Sequence, residues 1–227
     1  MKNVEAQVKD LLCGDEKGKP WIWGMNQMLH FYRDGTGSIE AGVDLHSEAS
    51  LEFSWIFTAA PVKDKNSWKL AMMITLGTRF HSGYQNENNP WIQGAELQKV
   101  IQKSPSPTEA PFPWAPLLST AFRPKQYNVT LSCGRFIEPF QLATKEPYPL
   151  FKRYRDAPRR SRLQLVFDVS PYPPREEWIR EKHYVMDHLR FWDMKVFVTD
   201  YIERKDETWA ETLDWNYWLS PTAGGWR

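Results

Sequence analysis

The chain has 227 residues, 41% apolar and 25% charged, enough apolar side chain for a core that needs no disulfide or metal staple. Its 29 Lys+Arg nearly cancel its 28 Asp+Glu, and a net charge of +1 argues against a dedicated nucleic-acid binder. Two cysteines, Cys13 and Cys133, make no disulfide framework. The polar start Met1–Gln7 and the lack of an 18-residue apolar run predict neither a signal peptide nor a membrane span, hence a cytoplasmic chain. The sequon Asn128-Val129-Thr130 is then expected to be idle. Aromatic content of 15%, with 12 Trp, suits a cavity that takes a small molecule.

In chain order, Val4, Val8, Leu11 and Leu12 recur at helical spacing before Gly14, which predicts a short amphipathic helix within segment 1–17. From Trp21 the period becomes two. Trp21, Trp23, Met25, Leu29 and Phe31 share the inward phase, and His30 falls on the outward one, opposite Gly42. Asp34-Gly35-Thr36-Gly37 predicts a hairpin. A three-residue loop with Gly37 in the left-handed region sets Phe31 across from Ala41, Leu29 from Val43 and Tyr32 from Glu40, keeping apolar residues on one face.

Further alternation marks strands through Leu51-Phe53-Trp55-Phe57, Trp68-Leu70-Met72-Ile74-Leu76, Tyr127-Val129-Leu131-Cys133, Leu163-Leu165-Phe167 and Trp192-Met194-Val196-Val198, taking alternate residues in each. Residues 79–126 are a long excursion with a short helix, Ala95 to Lys103, and two proline clusters; a lid and a fixed strap are both open readings. Pro173-Pro174-Arg175-Glu176-Glu177 reads as a helix start. Segment 203–227 carries Trp209, Trp215, Tyr217, Trp218 and Trp226 and is expected to fold back as an aromatic cover. Seven strands apolar on one side predict a single, mainly β domain over 1–227, an antiparallel barrel or sandwich in which closure removes exposed edges.

Gly18-Lys19-Pro20-Trp21, followed by an alternating strand and the glycine hairpin, resembles the opening of lipocalin-like (calycin) chains, which begin with a Gly-x-Trp element on the first strand. Here two residues, not one, separate Gly18 from Trp21, and the likeness spans residues 18–80. The resemblance implies an up-and-down barrel around a hydrophobic ligand. Lipocalin-like proteins of fungal biosynthetic pathways include cofactor-free cyclases and pericyclases, and the resemblance extends to such a function. None of their catalytic residues maps onto this chain.

Metal-ligand spacing is poor: His183, Asp187 and His188 come nearest, but positions five apart diverge round a helix, so no metal is expected. No phosphate loop, CxxC, GxSxG or dinucleotide fingerprint occurs, and no cofactor is expected. The run Lys152–Arg162 holds six cations and one acid, and reads as a solvated loop before it reads as an anion guide. Strand phase is the sharper test, because a polar residue in the inward register is buried and costly unless partnered. Gln27, Thr78, Arg135 and Asp200 meet it, Arg135 only if Gly134 introduces no bulge. The bland alternative pairs Arg135 with Asp200 or Glu138. His81, at a strand end, and Glu138 are the candidate acid–base groups.

These readings converge on a cavity lined by Trp21, Trp23, Phe53, Trp55, Trp68, Met72 and Tyr127, with Gln27, Thr78 and Arg135 as polar handles. The expected activity is a cofactor-independent isomerisation or cyclisation of a hydrophobic small molecule, with Arg135, Gln27, His81 and Glu138 as the catalytic set. Holding a flexible substrate in a reactive conformer would lower the barrier, and hydrogen bonds to a carbonyl would add to it. A non-catalytic carrier and an interaction module using the aromatic tail are the alternatives, as monomer or homodimer.

Overall fold

A computed structural model describes residues 4–15, 18–43, 46–77, 99, 117–143, 158–178, 187 and 189–212. Its elements are α1 (Val4–Cys13), β1 (Lys19–Gly24), β2 (Gln27–Phe31), β3 (Thr36–Val43), β4 (His46–Phe57), β5 (Val62–Asp64), β6 (Ser67–Leu76), β7 (Lys125–Ile137), α2 (Pro139–Ala143), β8 (Arg160–Phe167), β9 (Val196–Tyr201) and α3 (Trp209–Thr212). The nine strands form one antiparallel sheet in the order β4-β3-β2-β1-β9-β8-β7-β6-β5, and β4 also pairs with β6, so the sheet forms a ring. The seam is β1–β9, one aligned pair of Ile22 with Val198, and α2 packs against both of its strands.

Alternation explains which face is dry. On β6, Trp68, Leu70, Met72, Ile74 and Leu76 are buried, while Lys69 is exposed. Tyr127, Val129 and Leu131 continue that face on β7, and Leu163, Leu165 and Phe167 on β8. These residues join a single core cluster with Trp21, Trp23, Phe53 and Trp55. Helix α1 adds Val8, Leu12 and Cys13 to it. The helix ends where expected, at Gly14 with φ +68°, whose N–H donates to the Asp10 carbonyl at 3.2 Å. The Trp21 indole N–H donates to the Leu12 carbonyl at 2.8 Å and ties the helix end to β1.

Several expectations need correction. The strand read through Trp21–Phe31 is a hairpin, β1 and β2, turning at Met25 and Asn26, so Met25 is 79% exposed rather than inward. Gly24, just before the turn, leaves room for two side chains, since a Cβ there would come 2.9 Å from the Gln27 Oε1 and 3.0 Å from the Phe140 Cβ. In the next hairpin Phe31 pairs with Gly37 and Leu29 with Ile39, not with Ala41 and Val43. The three-residue loop is present but is Arg33-Asp34-Gly35, with Gly35 at φ +86° and the Tyr32 N–H on the Thr36 carbonyl at 2.8 Å, so Tyr32 lies across from Thr36 and not Glu40. Because the register moves by an even number of residues, every side chain keeps its expected face. His30 accordingly remains outward, opposite Ser38 instead of Gly42, and stacks on Tyr32. Trp192 lies in a 3-10 turn, Phe191–Asp193, ahead of β9, and the helix expected after Pro173 is one 3-10 turn, Arg175–Glu177. Of the helix expected at 95–103 only residue 99, in helical conformation, is described; the tail beyond residue 212 lies outside the described residues, as does most of the 79–126 excursion. Its end is packed: Leu117, Ala121 and Phe122 are buried, and Leu117 bridges to Trp178. Trp209 is 76% exposed.

Gly37 sits between two rings, Phe31 and Phe53, which meet edge-on at 5.3 Å, with Trp55 edge-on to Phe31 at 5.5 Å. A Cβ at Gly37 would collide with the Phe53 ring and the His30 carbonyl. Gly37→Ala is therefore expected to lose about 1–3 kcal/mol, read as a lower urea midpoint at unchanged slope. An unchanged midpoint would mean that both the Phe53 ring and the His30 main chain shift aside without loss.

Candidate functional site

In an antiparallel ring, β1, β3, β6 and β8 run the same way, so all four begin at one end. That end carries α1. Three buried tryptophans, Trp21, Trp55 and Trp68, differ in how their indole N–H groups are satisfied. Trp21 donates to Leu12 and Trp55 to the Thr36 carbonyl, each at 2.8 Å. Trp68, 5% exposed, has an N–H without an acceptor. Ser161 on β8, fully buried in phase with Leu163 and Leu165, has a hydroxyl in the same condition. Around them the inward positions are Leu131, which pairs with Trp68, and Leu163 with its partner Thr199. Lys63 pairs with Trp68 across β5 and β6, so the two side chains share a face, and the ammonium lies 5.7 Å from the ring centroid. Burial pushes the Cys133 thiol up, and the charge of Lys63 opposes that shift. This end therefore offers two dry donors beside a rim cation, an arrangement that accepts an oxygen-bearing group.

The residues expected to line a cavity occupy this core, but as neighbours in close contact. Trp55 is edge-on to Phe57 at 5.3 Å, and Tyr127 to Phe167 at 5.8 Å. Met72 is fully buried between its pair partners Phe57 and Tyr127. Trp23 falls where the register shifts between Ile22 and Gly24, and its ring meets Phe140 of α2 at 5.8 Å. The described residues line hollows, of which two are sizeable. One, of about 420 Å³, lies on the outer face of β6–β8 by Lys69, Asn128, Thr130 and Asp168; the other, of about 500 Å³, lies between α1 and the end of β4 by Lys9, Arg33 and Phe57.

The four expected catalytic residues do not converge. Gln27 is 6% exposed as its phase requires, but its amide N–H donates to the Gly42 carbonyl at 2.6 Å. Arg135 is not inward. β7 bulges between Cys133 and Phe136, the shift that Gly134 threatened, and a Cβ on Gly134 would lie 2.7 Å from the Phe136 ring. The Arg135 guanidinium grips the Glu211 carboxylate through Nε and Nη2, and Nη2 also donates to the Asp206 carbonyl at 3.0 Å. Asp200, the bland partner for Arg135, instead accepts from Lys19 at 2.6 Å. Glu138 accepts from the Tyr201 hydroxyl at 2.8 Å, and burial pushes its carboxyl above the usual range despite that bond. Thr78, His81, His183 and His188 lie outside the described residues, as do the cations from Lys152 to Arg155. Arg160 is buried, and its main-chain N–H donates to Glu207 at 3.1 Å. Among the described residues no group of three His, Cys, Asp or Glu side chains is placed to hold a metal.

Sequence reasoning passed over Ser161, although the phase test that selected Gln27 selects it too, two residues ahead of Leu163. It also passed over Lys63, whose strand is too short for a periodic signal. Compared with protein-family models, curated proteins and solved structures, the chain shows no match.

The Arg135–Glu211 pair fixes the start of α3 through a capping box, because Glu211 also accepts from the Thr208 N–H at 2.8 Å. Arg135, with Thr208, holds the Glu211 carboxyl down at about 2, from a usual 4.5. A carboxyl depressed in the folded state contributes stability above its unfolded value, and that contribution is lost as pH falls from 4.5 towards 2. Arg135→Met is therefore expected to be less stable than the parent at neutral pH, with the gap closing across that window in urea midpoints. A gap equal at all pH values would assign the loss to packing.

Proposed function

We propose that the ring is a lipocalin-like up-and-down barrel that binds an apolar small molecule and carries it. The observation behind this reading is the inward face itself, apolar and rich in aromatic rings from strand to strand, with buried donors at the α1 end that the protein leaves unused. A core built for stability alone would satisfy them, since an unpaired buried polar group costs about 1–3 kcal/mol.

Cofactor-independent isomerisation or cyclisation of the bound molecule is the second reading, and Glu138 is the feature that favours it. Its carboxyl, raised by burial, lies two residues from Phe140, which packs on Trp23, and holds a tyrosine hydroxyl. The carrier reading ranks first because Gln27 and Arg135, the groups meant to polarise a carbonyl, are engaged by Gly42 and Glu211.

A cognate apolar compound is expected to quench intrinsic tryptophan fluorescence and to raise the melting temperature, by the equivalent of about 2.7 kcal/mol at a hundredfold excess over Kd. A broad apolar library that moves neither signal would sink the binding reading. Product formation from a bound compound, abolished in Glu138→Gln with binding intact, would promote the second reading over the first.

A further inference from the structure

Trp68 is the odd indole of the core. Trp21, Trp55 and Trp178 each send the ring N–H to a main-chain carbonyl at 2.8 Å, whereas the buried Nε1 of Trp68 meets no acceptor. Ser161 repeats the pattern with a hydroxyl. The two are related by the fold: each is the second residue of its strand, both strands run the same way, and both side chains are in the inward phase. They stand near the strand starts at one end of the ring, on either side of β7: Trp68 pairs with Leu131, Ser161 with Phe136 and Tyr201, and between them Leu163 pairs with Cys133 and Thr199. Lys63 faces the same side as Trp68, while alternation along β5 sends Val62 and Asp64 to the other.

We propose that this end of the ring recognises an apolar carboxylate, with the Trp68 Nε1–H and the Ser161 hydroxyl donating to its oxygens and Lys63 supplying the opposite charge at the rim. The proposal rests on the reading of the ring as a container for an apolar molecule. Two carboxylate oxygens offer enough lone pairs for both donors at once, and a charged acceptor in a dry site makes the stronger hydrogen bond. A neutral oxygen would take the same donors but gain little from Lys63. That difference separates the classes.

The probes are octanoate and octan-1-ol, which share an apolar chain and differ in charge, titrated by calorimetry into the full chain at pH 7.5. Octanoate is expected to bind roughly tenfold tighter than the alcohol. Ser161→Ala and Lys63→Met are each expected to weaken octanoate by roughly tenfold while shifting octan-1-ol far less. Alanine at 161 removes only a hydroxyl without a partner, so its melting temperature is expected not to fall; Lys63, at the surface, gives an independent reading. Equal binding of both probes, unchanged in either variant, would overturn carboxylate recognition and leave the container reading standing. Binding of neither probe to the parent would remove both together.

Discussion

Closing an antiparallel sheet on itself gives all its strands one common interior, and that sharing governs nearly every other feature of this protein. A side chain's phase along its strand decides whether it meets water or the core, and the even shift in the β2–β3 register shows how firmly. The pairing moved, yet Phe31, Leu29 and Ile39 stayed inside. An odd shift would have turned the whole stripe to solvent. The same constraint selects glycine at position 37, where two cross-strand rings leave no room for a Cβ.

The interior then imposes its own rule on polar atoms. Buried indoles and amides are tied to the main chain: Trp21 to the end of α1, Trp55 to the start of β3, Gln27 to Gly42. These bonds fix helix, hairpin loop and strand end relative to one another. Against that regularity the unused donors of Trp68 and Ser161 stand out, because other buried indoles show that the fold can supply carbonyls where it needs them.

Much of the fold was legible because alternation is a strong local signal on long strands such as β6 and β7. What escaped has local causes. The Met25-Asn26 turn keeps the same phase on both sides of itself, so one long strand and a hairpin read alike. The Gly134 bulge inverts phase at its end, which carried Arg135 outward to Glu211. The loop glycine was misplaced because Gly35 and Gly37 both suit a hairpin in sequence; Gly35 takes the positive φ, while Gly37 is needed for its close packing on Phe53 and the His30 carbonyl. The site was less legible than the fold, since an unmet hydrogen bond is a property of the assembled interior and not of any stretch of sequence.

The seam between β1 and β9 has a consequence for how the chain reaches this state. Every other junction of the ring joins strands along a ladder of pairs, many of them close in sequence, whereas this one joins Ile22 to Val198 by a single aligned pair. Closing so long a loop is entropically costly and slow, and it is rewarded only once the intervening strands are in place. The ring is thus expected to seal last during folding and to part there first, with α2, resting on both strands, acting as the latch.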